Sequence, residues 1–151
     1  MSFYQQISKL IFVSIALIWF SSCSSVPEQR DTNIRPTTEQ KIIGVWKGTD
    51  HKGITAAFVF HKDKKAEMVQ GNIIFDGKSV GGIVTWELDD TKNPINLDLV
   101  MTVDGQTKRL PMIIQFISNS KIQIRKGDNL TIRPTEFSAS DKVNRITLLK
   151  Q

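Results

Sequence analysis

INLDLVMTV, Ile95 to Val103, decides the fold class, because its large apolar side chains fall on every second residue. Ile95, Leu97, Leu99, Met101 and Val103 share one face of an extended chain, while Asn96, Asp98 and Thr102 take the other. A period of two is the mark of a strand with one buried face. Asp104-Gly105 follows at once, and beyond it Leu110, Met112, Ile114 and Phe116 alternate with Pro111, Ile113 and Gln115. Asp-Gly between two such runs supplies the positive φ of a tight type I′ hairpin. Pro111 cannot donate a ladder hydrogen bond, so its strand is expected at an edge, a bulge or a start.

The same alternation extends outward from this hairpin. Ile54, Ala56, Phe58 and Phe60 alternate with Thr55, Ala57, Val59 and His61. The expected strands are 42–49, 54–61, 66–75, 79–88, 95–103, 107–116, 120–125, 129–132 and 143–149, and no helical window stands out. Asp76-Gly77 is expected to form a second tight turn, Asp89 to Pro94 a longer loop. Residues 134–142 are the one irregular stretch long enough to lie across an end of a barrel. Eight or nine short antiparallel strands within residues 40–151 make an all-β domain, a small up-and-down barrel or a sandwich, and closure favours the barrel because it removes exposed edges. An eight-stranded barrel is wide enough to be filled by side chains or to hold one small ligand. The sequence leaves both interiors open.

Gly44-Val45-Trp46-Lys47, followed by strands alone, resembles the Gly-x-Trp start of lipocalin-like barrels. Together with ELDDTKNPINLDL (Glu87 to Leu99), RPTEFSAS (Arg133 to Ser140) and the terminal ITLLK, it resembles a small lipocalin-like domain of unknown function that is abundant in planctomycetes. The resemblance implies a barrel whose tryptophan closes the base. It implies no activity.

The N-terminal 22 residues point to a compartment. Met1 to Lys9 carries one positive charge and no negative one, and Leu10 to Phe20 is eleven residues with only Ser14 polar. That is the length and order of a secretory signal, and it falls short of the roughly 20 apolar residues of a membrane span. Phe20-Ser21-Ser22-Cys23 resembles the lipobox of bacterial lipoproteins, which implies cleavage before Cys23 and lipidation of its thiol and new amino group. Ser24, rather than Asp, after the cysteine resembles the pattern of lipoproteins passed to the outer membrane, facing the periplasm. The expected organisation is a lipoprotein signal peptide at 1–22, a lipidated cysteine and flexible linker at 23–39, and the barrel at 40–151. The linker, with two prolines and mixed charges, spans roughly 20 to 25 Å as a coil.

Composition narrows the function classes. The 151 residues are 40% apolar and 23% charged, which disfavours wholesale disorder, and one cysteine excludes an internal disulfide framework. The net charge of +5 becomes +4 once residues 1–22, which hold only Lys9, are removed. For an exported, anchored domain, nucleic acid is not an expected partner, and anionic envelope surfaces are the available acidic ones.

No motif assembles into catalysis. Gly77-Lys78-Ser79-Val80-Gly81 matches a nucleophile elbow, but His51 and His61 both precede Ser79 and strand follows Gly81. Asp50, His51, His61 and Asp63 sit at opposite ends of one strand, too far apart for a common metal. Lys62, Lys64 and Lys65 form a basic turn, either solvated or in contact with an anionic surface. Trp46, Phe58 and Trp86 are the candidates for lining a ligand or closing the barrel base. The expectation is a non-enzymatic, lipid-anchored envelope protein, without a cofactor, that binds a small apolar or amphipathic ligand or an envelope component. The alternative is an assembly accessory whose solid barrel docks a partner protein.

Overall fold

A computed structural model of the protein describes residues 35–129, 131–138 and 142–151. The signal segment, Cys23 and the linker up to Ile34 lie outside the described residues. Nine strands carry the fold: β1 (Gly44–Thr49), β2 (Thr55–Phe60), β3 (Ala66–Gln70), β4 (Ile73–Phe75), β5 (Ile83–Asp89), β6 (Ile95–Val103), β7 (Gln106–Ser118), β8 (Lys121–Lys126) and β9 (Arg145–Lys150). They form one antiparallel sheet in the order β4-β3-β2-β1-β9-β8-β7-β6-β5. First and last strands are paired, Trp46 opposite Lys150 and Thr49 opposite Thr147. The sheet thus curls into a nearly closed barrel whose one gap falls between β4 and β5.

At one end that gap is bridged. Lys65 on the β3 side faces Thr85 on β5, and the Trp86 N–H donates to the Lys64 carbonyl at 2.8 Å. Lys64 reaches this position with a φ of +69°.

Alternation fills the interior as expected. Leu97 and Leu99 of β6, Met112 and Ile114 of β7, Ile122 and Ile124 of β8 and Leu148 of β9 are all buried in the core. The β6–β7 hairpin turns through Asp104 and Gly105, with φ of +48° and +74°, and pairs Val103 with Gln106. This is the two-residue turn that Asp-Gly implies.

Pro111 lies inside an interior strand, yet it costs no ladder bond. The Lys126 N–H turns to the Asn144 carbonyl, so its neighbour Arg125, opposite Ile113, presents its backbone to β7. By alternation Ile113 and Pro111 present theirs to the β8 side. The β8 pairing stops at Met112 opposite Lys126, and Pro111 stands one residue beyond it. β7 is locally an edge there.

Four expectations need correction. The expected single strand 66–75 is two, β3 and β4, folded at Gly71-Asn72 with Gln70 opposite Ile73. Gly71 has a φ of +58°, positive φ at the first central residue alone, as in a II′ turn. Asp76-Gly77 is not a tight hairpin; residues 76–82 form a longer turn joining β4 to β5, the two edges of the sheet. Its hydrogen bonds run from Val80 N–H to the Asp76 carbonyl and from Gly82 N–H to that of Gly77. β5 accordingly begins at Ile83, not 79.

The expected strand at 129–132 is turn in its described residues, tied by the Asn129 side chain accepting from the Thr131 N–H at 2.9 Å. Finally, a helix does exist: α1 (Thr38–Ile42), begun by a capping box in which Thr37 and Gln40 exchange side-chain and backbone hydrogen bonds. It buries Ile42 completely.

The connection from β8 to β9 reaches one end of the barrel through Thr131 and Val143. Around Arg133 and Glu136 it runs along the outer wall. Arg133 donates to the Met112 carbonyl at 2.5 Å and pairs with Asp98 at 2.5 Å, and Arg125 donates to the Glu136 carbonyl. This cover explains why the outward Ile113 is only 1% exposed.

Candidate functional site

The two ends of the barrel have different chemistry. At the base, Trp46 and Trp86 are fully enclosed, and each finds a main-chain acceptor for its indole N–H: the Ile42 carbonyl for Trp46 and the His61 carbonyl for Trp86. Phe60 packs edge-on against Trp86 and stacked on Phe58, with ring centroids 5.9 and 6.0 Å apart. Each tryptophan also lies under a lysine ammonium. Lys64 Nζ is 4.0 Å from the Trp86 ring and also pairs with Glu39 of α1 at 2.5 Å. Lys150 Nζ is 5.1 Å from the Trp46 ring and donates to the Lys41 carbonyl. The helix, the β2–β3 turn and the end of β9 together close this end.

At the other end the interior is hollow. A cavity of about 680 Å³ opens between β2, β3, β4, β6, β7, β8 and β9. Its walls are apolar: Ala56, Phe58, Met68, Phe75, Met101, Leu110, Met112, Ile124 and Ile146. The volume lies within the range of about 300 to 1,000 Å³ usual for small-molecule sites. Three of the wall residues are methionines, whose unbranched side chains adapt to a ligand's shape more readily than leucine or valine.

The mouth of this cavity is polar. Asp50, Gln70, Lys108, Lys126 and Asn144 are on its rim, with Thr131 and Val143 contributed by the β8–β9 connection. Asp50 is already engaged: it accepts from the Lys52 and Ile54 N–H groups and from Gln70 Nε2 at 2.8, 3.0 and 2.9 Å. Partial desolvation opposes ionisation of its carboxyl, but these hydrogen bonds outweigh it and hold the group below its ordinary value. Arg109, on the outer face beside the mouth, pairs with Glu87 at 2.5 Å and Asp98 at 3.4 Å.

Of the residues singled out from the sequence, Phe58 lines the cavity, whereas Trp46 and Trp86 belong to the base. Cys23 lies outside the described residues. Ser79 of the Gly-x-Ser-x-Gly segment is consumed in its own turn: its Oγ accepts from the Asp76 N–H at 2.9 Å and donates to the Asp76 carbonyl. His61 pairs with Glu67, and Lys65 with Asp63. Among the described residues, no group of three His, Cys, Asp or Glu side chains is placed to hold a metal.

Sequence reasoning missed Lys108 and Lys126. The signal was present, since both continue the inward-facing rows: Lys108 follows Met112 and Leu110 on β7, and Lys126 follows Ile122 and Ile124 on β8. Met68, Phe75 and Met101 were equally readable as inward positions. Only the unfilled space between them was not.

No protein-family model matches the chain, and no curated protein is significantly similar to it. Among solved structures, it is similar to pallilysin of Treponema pallidum, with a TM-score of 0.48 and 14% identity over 78% of this chain and 83% of that one.

Proposed function

We propose that this protein is a lipid-anchored binding protein of the bacterial cell envelope, whose barrel takes a small apolar or amphipathic molecule into its open end without covalent chemistry. The cavity of about 680 Å³, walled by apolar side chains and open at one end, carries the reading. A barrel that served only as a rigid block would gain stability from filling this space, at roughly 0.8 kcal/mol per buried methylene. The anchor is argued from sequence alone. The apolar run 10–20 and Ser21-Ser22-Cys23 supply a signal and a thiol for acylation, and two or more acyl chains hold a protein on a membrane stably. Ser24 favours the outer membrane, with the domain in the periplasm.

A second reading rests on the sheet edges. Ile73 and Ile74 of β4 and Ile83 of β5 are more than half exposed, and they flank the gap in the barrel. They would suit docking of a partner protein onto an edge strand.

Mass spectrometry of the protein extracted from its native membrane tests both parts. The expected result is an acylated N-terminal Cys23 peptide, absent from Cys23→Ala, and a small amphiphile released from the folded domain. A chain without acyl groups in the soluble fraction overturns the anchor. An empty domain whose melting temperature no apolar probe raises overturns the binding role and favours docking.

A further inference from the structure

The inward-facing rows of a β-barrel are normally apolar as far as the core reaches, and β7 and β8 here each end theirs with a lysine. Lys108 continues the row of Met112 and Leu110 and is paired with Met101 of β6. Lys126 continues the row of Ile122 and Ile124 and is paired with Met112. Both line the rim of the cavity, and both are solvent-exposed. Neither ammonium has an ion-pair or hydrogen-bond partner among the described residues. Their treatment differs from that of Lys64 and Lys150 at the base, where each ammonium is taken up by a carboxylate or carbonyl and an aromatic ring.

The other charged groups at the rim are Asp50, Arg109 and Arg145, whose guanidinium donates to the Ser138 carbonyl at 3.3 Å. Asp50, the carboxylate on the rim, is satisfied by two backbone N–H groups and Gln70. Arg109 is held by Glu87 and Asp98. What remains is an apolar chamber whose rim charges, Lys108, Lys126 and Arg145 against Asp50, sum to a net positive.

We infer that the ligand is a single-chain amphiphile with an anionic head group, carboxylate or phosphate, its tail among Phe58, Met68 and Met112 and its head at Lys108 and Lys126. This rests on the binding role proposed above and adds the sign of the head group to it. Four strand positions separate Lys108 from Met112, the residue opposite Lys126, which is about 13 Å along β7. The two lysines therefore serve the rim at separate points. A singly charged carboxylate meets one at a time, and a phosphate monoester has the charge to draw on both.

The test is isothermal titration of the purified protein with four probes of one chain length: laurate, dodecyl phosphate, dodecanol and dodecylamine. Expected is binding of the two anions about tenfold or more tighter than dodecanol, the usual size of a charge-assisted hydrogen bond, with dodecylamine weakest. Raising the salt concentration should erode the anion preference and leave dodecanol unaffected. The double variant Lys108→Met, Lys126→Met should lose the difference between laurate and dodecanol, and Lys108→Arg, Lys126→Arg should keep it. Thermal melting of each variant checks the fold. Laurate ahead of dodecyl phosphate identifies a carboxylate site, and the reverse order a phosphate site. Dodecanol or dodecylamine binding as tightly as the anions overturns the inference while sparing the cavity. Failure of all four probes overturns the binding role itself.

Discussion

At the base of the barrel, Trp46 and Trp86 each give an indole N–H to a main-chain carbonyl and lie under a lysine ammonium, and α1 and the β2–β3 turn cover them. At the mouth, methionines and phenylalanines line a void, and the inward lysines meet only solvent. Both ends belong to one sheet, with the same alternation. Interior volume is therefore not set by strand pattern, which is alike at both ends, but by which side chains occupy the inward positions and by what caps them. A rigid aromatic plug at one end lets the other remain unfilled without loss of register.

The largest expected break of this contrast is at the plug. Trp86→Ala removes a buried ring, its hydrogen bond to His61 and its contact with Phe60, and should cost about 3 to 5 kcal/mol in urea unfolding. A loss below about 1 kcal/mol would mean that the base is not the stabilising end.

The same substitution made at both ends sharpens the comparison. Ala66 in β3 and Ala56 in β2 are each 2% exposed, but Ala66 packs in the core cluster and Ala56 faces the cavity. Ala66→Leu should cost about 1 to 3 kcal/mol by overpacking. Ala56→Leu has room, so it should cost less than half as much, while reducing dodecanol binding in titration. Equal costs would mean that the cavity wall is as tightly constrained as the base.

A smaller effect is expected at the latch between α1 and the barrel. Lys64→Met removes both the ammonium above Trp86 and the Glu39 pair, partly exposed, and should lower stability by about 1 kcal/mol. The smallest effect is a pH dependence on the outer wall. Hydrogen bonding from Arg109 holds the Glu87 carboxyl below its ordinary value of 4.5. A depressed carboxylate stabilises the fold fully above that value, and the contribution is lost as pH falls below it. Because the pair is half exposed, solvent screens it and its contribution is small. Glu87→Gln should flatten the decline of the melting temperature below pH 4.5 without changing the loss in Trp86→Ala.

The barrel was legible in the sequence because alternation and Asp104-Gly105 are local signals with one structural solution each. Asp76-Gly77 carries the same dipeptide as Asp104-Gly105, yet forms a longer turn. The strands it joins do not pair, since β5 finds β6 and β4 finds β3. A dipeptide cannot report which strands will be neighbours. The Gly71-Asn72 turn was readable as a glycine-first hairpin signal, but the apolar Ile73, Ile74 and Phe75 that follow make 66–75 look continuous. Thr37 and Gln40 spelled a capping box, hidden because one turn of helix is too short to show a period.

For the site, the inward side of each residue could be read, and the cavity could not. Whether Met68, Phe75 and Met112 meet or stand apart depends on the curvature of nine strands at once.

The pairing of β1 with β9 gives the fold an order in time. Trp46 and Lys150, directly opposite each other in the sheet, are about as far apart along the chain as any two described residues. During synthesis the four strands β1–β4 emerge first, with one side of β1 unpaired until residues 145–150 arrive. Ring closure over so long a loop is slow compared with hairpin formation. The growing chain therefore passes through a stage in which an apolar, half-built sheet must be kept from other chains, and the last strand to appear ends it.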